Sequence, residues 1–140
     1  SIFGEKSFNQ QNRDDLNEFR DILENNSDIE LGVGKIEKIN GQLVSEQPIV
    51  IEESFVNIEG WILDDDDRMS VNSIFLMIDN EPLLKYDDFV YGDDISKSHS
   101  GWNIIFLSGY IEKGCHEVTI IGLSDETLLK IEQKVEMCRI

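Results

Sequence analysis

The sequence is short of several things at once. It holds two cysteines, two prolines, two histidines and 12 basic residues against 29 acidic ones. No run of about 18 apolar residues occurs, which excludes a membrane-spanning helix read from sequence. The shortage of cations leaves a formal net charge of -17. Such a surface repels phosphate backbones and anionic headgroups, so nucleic-acid binding and peripheral membrane binding are not expected. Solubility, cationic partners or divalent cations are what an acidic surface favours. Two cysteines do not make a disulfide framework. Cys115 and Cys138 lie in or beside predicted strands, so a single bridge forms if those strands are neighbours. Two buried free thiols is the favoured reading. Cys115-His116 is too sparse a set for a metal site.

Other absences remove enzyme classes. No Gly-x-Ser-x-Gly elbow, phosphate-binding loop or dinucleotide fingerprint is present. His99 sits in a Ser-Lys-Ser-His-Ser stretch and His116 at the start of a strand, with no Ser/His/Asp arrangement around either. Acids are so numerous that no pair stands out for hydrolysis. The expectation is that this chain is not an enzyme. It begins Ser1-Ile2-Phe3-Gly4, without a methionine or a secretory signal, which reads as a fragment or a processed chain. Abundant Ile, Asn, Lys and Asp suggest an AT-rich bacterial genome. The location is left open between cell envelope and cytoplasm.

What is present is a patterned chain of 140 residues, 40% hydrophobic, enough for one domain with a real core. Residues 1–32 form a helical segment or linker. Asn12 before Arg13-Asp14-Asp15 reads as an N-cap with acids in the first turn. Leu16, Phe19, Ile22 and Leu23 recur at helical spacing until Asn25-Asn26-Ser27. One narrow stripe cannot stand alone. It must dock on the following domain, on a missing upstream domain, or on a second copy to give a homodimer.

From residue 33 to 140 the period is two. Val33 to Ile39 leads into Asn40-Gly41, the signature of a tight hairpin turn. Strands follow at Ile49–Ile51, Phe55–Leu63, Ser73–Asp79, Leu83–Tyr86, Trp102–Leu107 and Cys115–Gly122, with a last one from Leu128 to about Cys138. Turns are expected at 79–82, 112–114 and 124–126, and a long connection over 87–100. Seven or eight short strands at regular spacing, with no helix among them, predict an all-β fold. The expected arrangement is an antiparallel β-sandwich preceded by one N-terminal α-helix.

Candidate ligand-binding residues are aromatic or acidic. Both tryptophans follow glycine, at Gly60-Trp61 and Gly101-Trp102. Trp61 and Trp102 are either core anchors or a stacking platform for sugars. Tyr86, Phe89 and Tyr91, in or near the long connection, are better placed to be exposed. Asp64 to Asp67 cluster on one loop, and Asp87, Asp88, Asp93 and Asp94 on another. Asp64, Asp66 and Asp93 are Ca²⁺ candidates if the two loops meet, although the run lacks the glycine and glutamate of an EF-hand loop. A solvated loop is favoured, and no cofactor is expected otherwise.

These residues resemble a family. The order is Gly60-Trp61-Ile62-Leu63-Asp64, then Phe75-Leu76-Met77-Ile78-Asp79-Asn80, Tyr86, Asp94-Ile95, Ser100-Gly101-Trp102 and Gly114-Cys115-His116-Glu117-Val118. It is similar to the immunoglobulin-like accessory domains of bacterial cell-surface polysaccharide biosynthesis and export proteins. Gly92 stands where that family often has an arginine. The resemblance covers residues 33–138. It implies a non-catalytic accessory module that binds glycan, through Tyr86, Tyr91, Trp61, Trp102 and Asp94, or serves assembly with other protein domains. A protein-interaction module and a Ca²⁺-stabilised sandwich are the alternatives.

Overall fold

The computed structural model describes residues 2–25, 29–63, 71–87, 101–124 and 127–140, with side chains from Gln10 onward. One helix, α1 (Ile2–Asn25), precedes eleven strands among these residues. They are β1 (Ile29–Leu31), β2 (Val33–Ile39), β3 (Gln42–Leu43), β4 (Ile49–Ile51), β5 (Phe55–Leu63), β6 (Ser73–Ile78), β7 (Glu81–Tyr86), β8 (Gly101–Leu107), β9 (Gly114–Ser124), β10 (Thr127–Lys130) and β11 (Val135–Arg139). A 3-10 turn, Ser108–Tyr110, follows β8.

The strands form two sheets. The smaller has the order β3-β2-β5-β8. The larger is built on the 11-residue β9, which pairs with β6, and through it β7, along one edge. The other edge of β9 is shared. Its first half pairs with β11 and its last residues with β10. The alternation of the chain between sheets is that of an immunoglobulin-like sandwich. Two pairings are parallel, β1 with β10 and β4 with β11, so the larger sheet is mixed rather than purely antiparallel. The expected last strand is interrupted by residues 131–134 and becomes β10 and β11.

The inward faces follow from the period of two. Val56, Ile58 and Ile62 of β5, Trp102, Ile104 and Phe106 of β8, Ile74 and Leu76 of β6, and Val118 and Ile120 of β9 fill the space between the sheets. Two local devices hold the edges. Asn40 and Gly41 both have positive φ, as the hairpin turn requires. Asn40 and Asn57 then exchange bonds: the Asn40 N–H donates to the Asn57 carbonyl at 2.8 Å, and the Asn57 N–H to Asn40 Oδ1 at 2.6 Å. A β-bulge interrupts β2 between Ile36 and Lys38. There Gln133, from between β10 and β11, pairs its amide with the Ile36 N–H at 2.6 Å and the Ile36 carbonyl at 3.0 Å. The Ile36 peptide groups are thus satisfied by the connection between β10 and β11.

The helix begins ten residues before the expected N-cap. Asn12 lies inside α1, and its side-chain amide donates to the Leu83 carbonyl at 3.4 Å instead of capping. Leu16 and Phe19 are buried against Phe75, Met77, Ile121 and Leu128 on the outer face of the larger sheet. Ile22 and Leu23 pack at the margin of that second core. Docking on the following domain is therefore the use made of the stripe. Asp15 to Lys85 at 3.9 Å and Arg20 to Glu81 at 4.0 Å add surface ion pairs across the same seam. No described helix is long and apolar enough to cross a membrane.

Candidate interaction face

The two Gly-Trp pairs meet. In the β5–β8 register Gly60 stands opposite Trp102, and Trp61 opposite Gly101. Cross-strand partners share a face, so the two tryptophans point to opposite sides. Trp102 points inward and is 2% exposed, a core anchor and not a stacking platform. A Cβ at Gly60 would lie 2.6 and 2.7 Å from its ring atoms Cζ2 and Cη2. Trp61 is half-buried on the outer face of the smaller sheet, between Lys35 of β2 and Gly101 of β8. Tyr86 is partly buried and packs against the core. Phe89, Tyr91, Asp93, Asp94 and His99, like Asp64 and Asp66, lie outside the described residues.

Down the same outer face, away from Trp61, the surface turns apolar. Phe55 stands opposite Leu107, and Asn57 opposite Ile105. Ile105 is 65% exposed, Leu107 62% and Phe55 43%. Tyr110, in the 3-10 turn directly after β8, is exposed as well. That turn is held to β5 by the Ser108 N–H donating to the Ser54 carbonyl at 2.9 Å. Among the described residues β8 is the outer strand of its sheet, paired on one side by β5. The patch therefore sits at a strand edge, where an added strand or a docked surface can engage it. Exposed carboxylates, Glu52, Glu53 and Glu112, lie close to it in sequence.

Sequence reading did not single out this patch. The signal was there: Ile104-Ile105-Phe106-Leu107 is apolar at every position, whereas a half-exposed strand alternates. Strand β6 has the same pattern in Ile74-Phe75-Leu76-Met77. There the explanation is visible, because the inner residues line the core and the outer ones, Phe75 and Met77, lie under α1.

A second cluster ties the ends of the larger sheet. His116 Nδ1 lies 2.7 Å from Asp79 Oδ2, and His116 Nε2 lies 2.7 Å from the Glu112 carbonyl. Asp79 Oδ1 also accepts the Glu117 N–H at 2.9 Å. With both ring nitrogens facing acceptors, the protonated imidazolium is favoured. The bond to Asp79 and then that to Glu112 raise the His116 pKa, and the same bond to His116, helped by the Glu117 N–H, lowers that of Asp79. Asp79 and Asn80 have positive φ, so the cluster also anchors the strained β6–β7 turn. An imidazole with both nitrogens engaged in this way has a structural task.

Cys115 and Cys138 are bridged, against the favoured reading of two buried free thiols. The register of β9 and β11 sets them directly opposite, and Cys115 is exposed while Cys138 is half-exposed.

Comparison with known proteins is consistent with this fold. No family model matches the chain, and no curated protein matches its sequence. Among solved structures, it is similar to part of an endo-beta-1,4-mannanase from Thermotoga petrophila, with a TM-score of 0.50 and 10% identity. That match covers 81% of this chain and 21% of the mannanase. A lesser likeness, TM-score 0.46 at 14% identity, is to the fibronectin(III)-like modules of Clostridium thermocellum CbhA, over 79% of this chain and 47% of that one. The chain thus spans about a fifth of the first of these proteins and about half of the second.

Proposed function

We propose that this domain is a non-catalytic accessory module of a larger bacterial protein, and that it docks a neighbouring protein domain through the Phe55, Ile105 and Leu107 end of its smaller sheet. The observation that carries this reading is the contrast between two strands. Both β6, over Ile74–Met77, and the second half of β8, over Ile104–Leu107, are apolar on both faces. The second face of β6 is covered by α1, and that of β8 is left exposed. Fully burying an exposed Leu, Ile or Phe side chain is worth about 1.5–3 kcal/mol, so Phe55, Ile105 and Leu107 can anchor an interface. The test is a binding titration of this domain against the remainder of its parent polypeptide. Ile105→Lys with Leu107→Lys is expected to weaken association at least tenfold while leaving the melting temperature unchanged. Equal affinity for the wild type and the double variant overturns the reading.

A second reading is supported by Trp61 on the same face. Half-buried beside Lys35, it has part of its surface available for stacking on a sugar, and the resemblance to polysaccharide-assembly accessory domains points the same way. Under this reading soluble glycans change the tryptophan fluorescence, and Trp61→Ala abolishes the change. A glycan panel that leaves the fluorescence unmoved sinks it. Stabilisation by Ca²⁺ through Asp64, Asp66 and Asp93 is tested by melting with millimolar Ca²⁺, where a bound ion raises the midpoint.

A further inference from the structure

The bridged cysteines belong to a larger arrangement. In the β9–β11 register Cys115 stands opposite Cys138, and Glu117 opposite Glu136. Residues two apart on a strand share a face, so the four make a two-by-two ladder on the outer side of the larger sheet. Donor atoms of Cys115, Cys138 and Glu136 all lie within 4.8 Å of one another, with Glu136 Oε1 3.7 Å from Cys138 Sγ. An open groove of about 320 Å³, lined by Cys115 and Glu136 together with Ser45, Glu46, Glu117 and Lys134, gives solvent access. Like charges directly opposite on neighbouring strands are destabilising, and Glu117 facing Glu136 is such a pair. A divalent cation bound beside Glu136 would offset that repulsion.

We propose that Cys115, Cys138 and Glu136 form a redox-gated zinc site, closed while the disulfide is intact and opened when it is reduced. The chemistry balances. A dithiol gives two electrons and two protons to the bridge and is itself oxidised to a disulfide, leaving two cysteine thiols. Binding of Zn²⁺ then releases both thiol protons. The ion is held by two thiolates and one carboxylate, with water in the fourth position. Sulfur donors with a carboxylate at tetrahedral number suit Zn²⁺ rather than Ca²⁺ or Mg²⁺, which require oxygen. The oxidised pair has no thiolate to offer, so the compartment decides the state: bridged where disulfides persist, metal-binding where thiols are kept reduced.

The test uses the whole chain, reduced with a phosphine, freed of reductant without oxygen, and titrated with Co²⁺ and then Zn²⁺. One Co²⁺ per chain is expected, with a thiolate-to-metal charge-transfer band that Zn²⁺ abolishes. The oxidised protein shows no such band. Glu136→Gln keeps both thiolates and so keeps the band, with affinity reduced at least about tenfold, and Cys115→Ser loses more than that. Zinc also raises the melting temperature of the reduced protein and not of the oxidised one. The proposal is overturned by an absent band, by equal affinity of oxidised and reduced protein, or by Glu136→Gln binding as wild type. Binding that persists unchanged in concentrated guanidinium is chelation by an unfolded chain and overturns it too.

Discussion

Trp102 and Gly60 are direct cross-strand partners, and the indole occupies the space that a side chain at position 60 would need. The same hypothetical Cβ also collides with the Lys35 carbonyl of β2, which is backbone and cannot rotate away. Gly60→Ala is therefore expected to destabilise by about 1–3 kcal/mol or more, through displaced strands as well as a displaced ring. Gly109 offers a control, since nothing lies within 4 Å of a Cβ there and its φ is not positive. Gly109→Ala is expected to stay within about 0.5 kcal/mol of wild type. Paired urea denaturation curves decide it, and equal midpoints for the two variants count against the packing argument.

Phe19 stacks on Phe75 with ring centroids 3.8 Å apart and planes 6° from parallel. Phe19 is fully buried, so Phe19→Ala is expected to cost about 3–5 kcal/mol of helix docking. The sandwich has its own core between the sheets, and the variant should keep its strand signal in circular dichroism while α1 becomes sensitive to protease. Light scattering adds a discriminating readout. Because Leu16 and Phe19 are spent on the chain's own sheet, Phe19→Asp is expected to leave the oligomeric state unchanged. Loss of a dimer in that variant speaks for the helix as a partner surface instead.

What was legible in the sequence was what depends on near neighbours. Asn40-Gly41 announces its turn because only residues tolerant of positive φ can make it, and the strands β5, β6, β8 and β9 show in their apolar patterns. What was not legible depends on register. Cys115 and Cys138 are separated by 23 residues, and nothing local says that β9 and β11 align them. The helix start was misread for a related reason. Asn12-Arg13-Asp14-Asp15 is a sound N-cap signature, but a carbonyl on β7 claims the Asn12 side chain. Of the candidate ligand residues, Trp61 is on a surface and Trp102 in the core, although both follow a glycine. The antiparallel register of β5 and β8, which crosses the two pairs, is what separates them.

The bridge between Cys115 and Cys138 closes a loop across the β9–β11 pair. In the chain-entropy account a loop of this size contributes about 3 kcal/mol. Reduction is therefore expected to lower the denaturation midpoint while leaving a folded protein, since the β9–β11 pairing and the core beneath it, Val118, Val135 and Met137, remain. Guanidinium curves with and without a phosphine reductant measure this. An unchanged midpoint after confirmed reduction removes the bridge from the account of stability.

The His116–Asp79 pair sets a pH window. The folded pKa of His116 is raised above its ordinary 6.5, so its stabilising contribution is complete below 6.5 and disappears as pH rises through the raised value. The folded pKa of Asp79 is lowered below 3.8, so its contribution is complete above 3.8 and disappears as pH falls through the lowered value. The pair therefore contributes fully between those two ordinary values and declines on the alkaline side first under mild conditions. Asp79 is 54% exposed, so solvent screening holds the effect to about 0.5–1 kcal/mol. The measurement is the stability difference between wild type and His116→Gln across pH 4 to 9. That difference should be flat up to about pH 6.5 and shrink above it, because only the wild type loses a charge there. A difference that grows with rising pH reverses the sign of the linkage and removes the imidazolium from the β6–β7 turn.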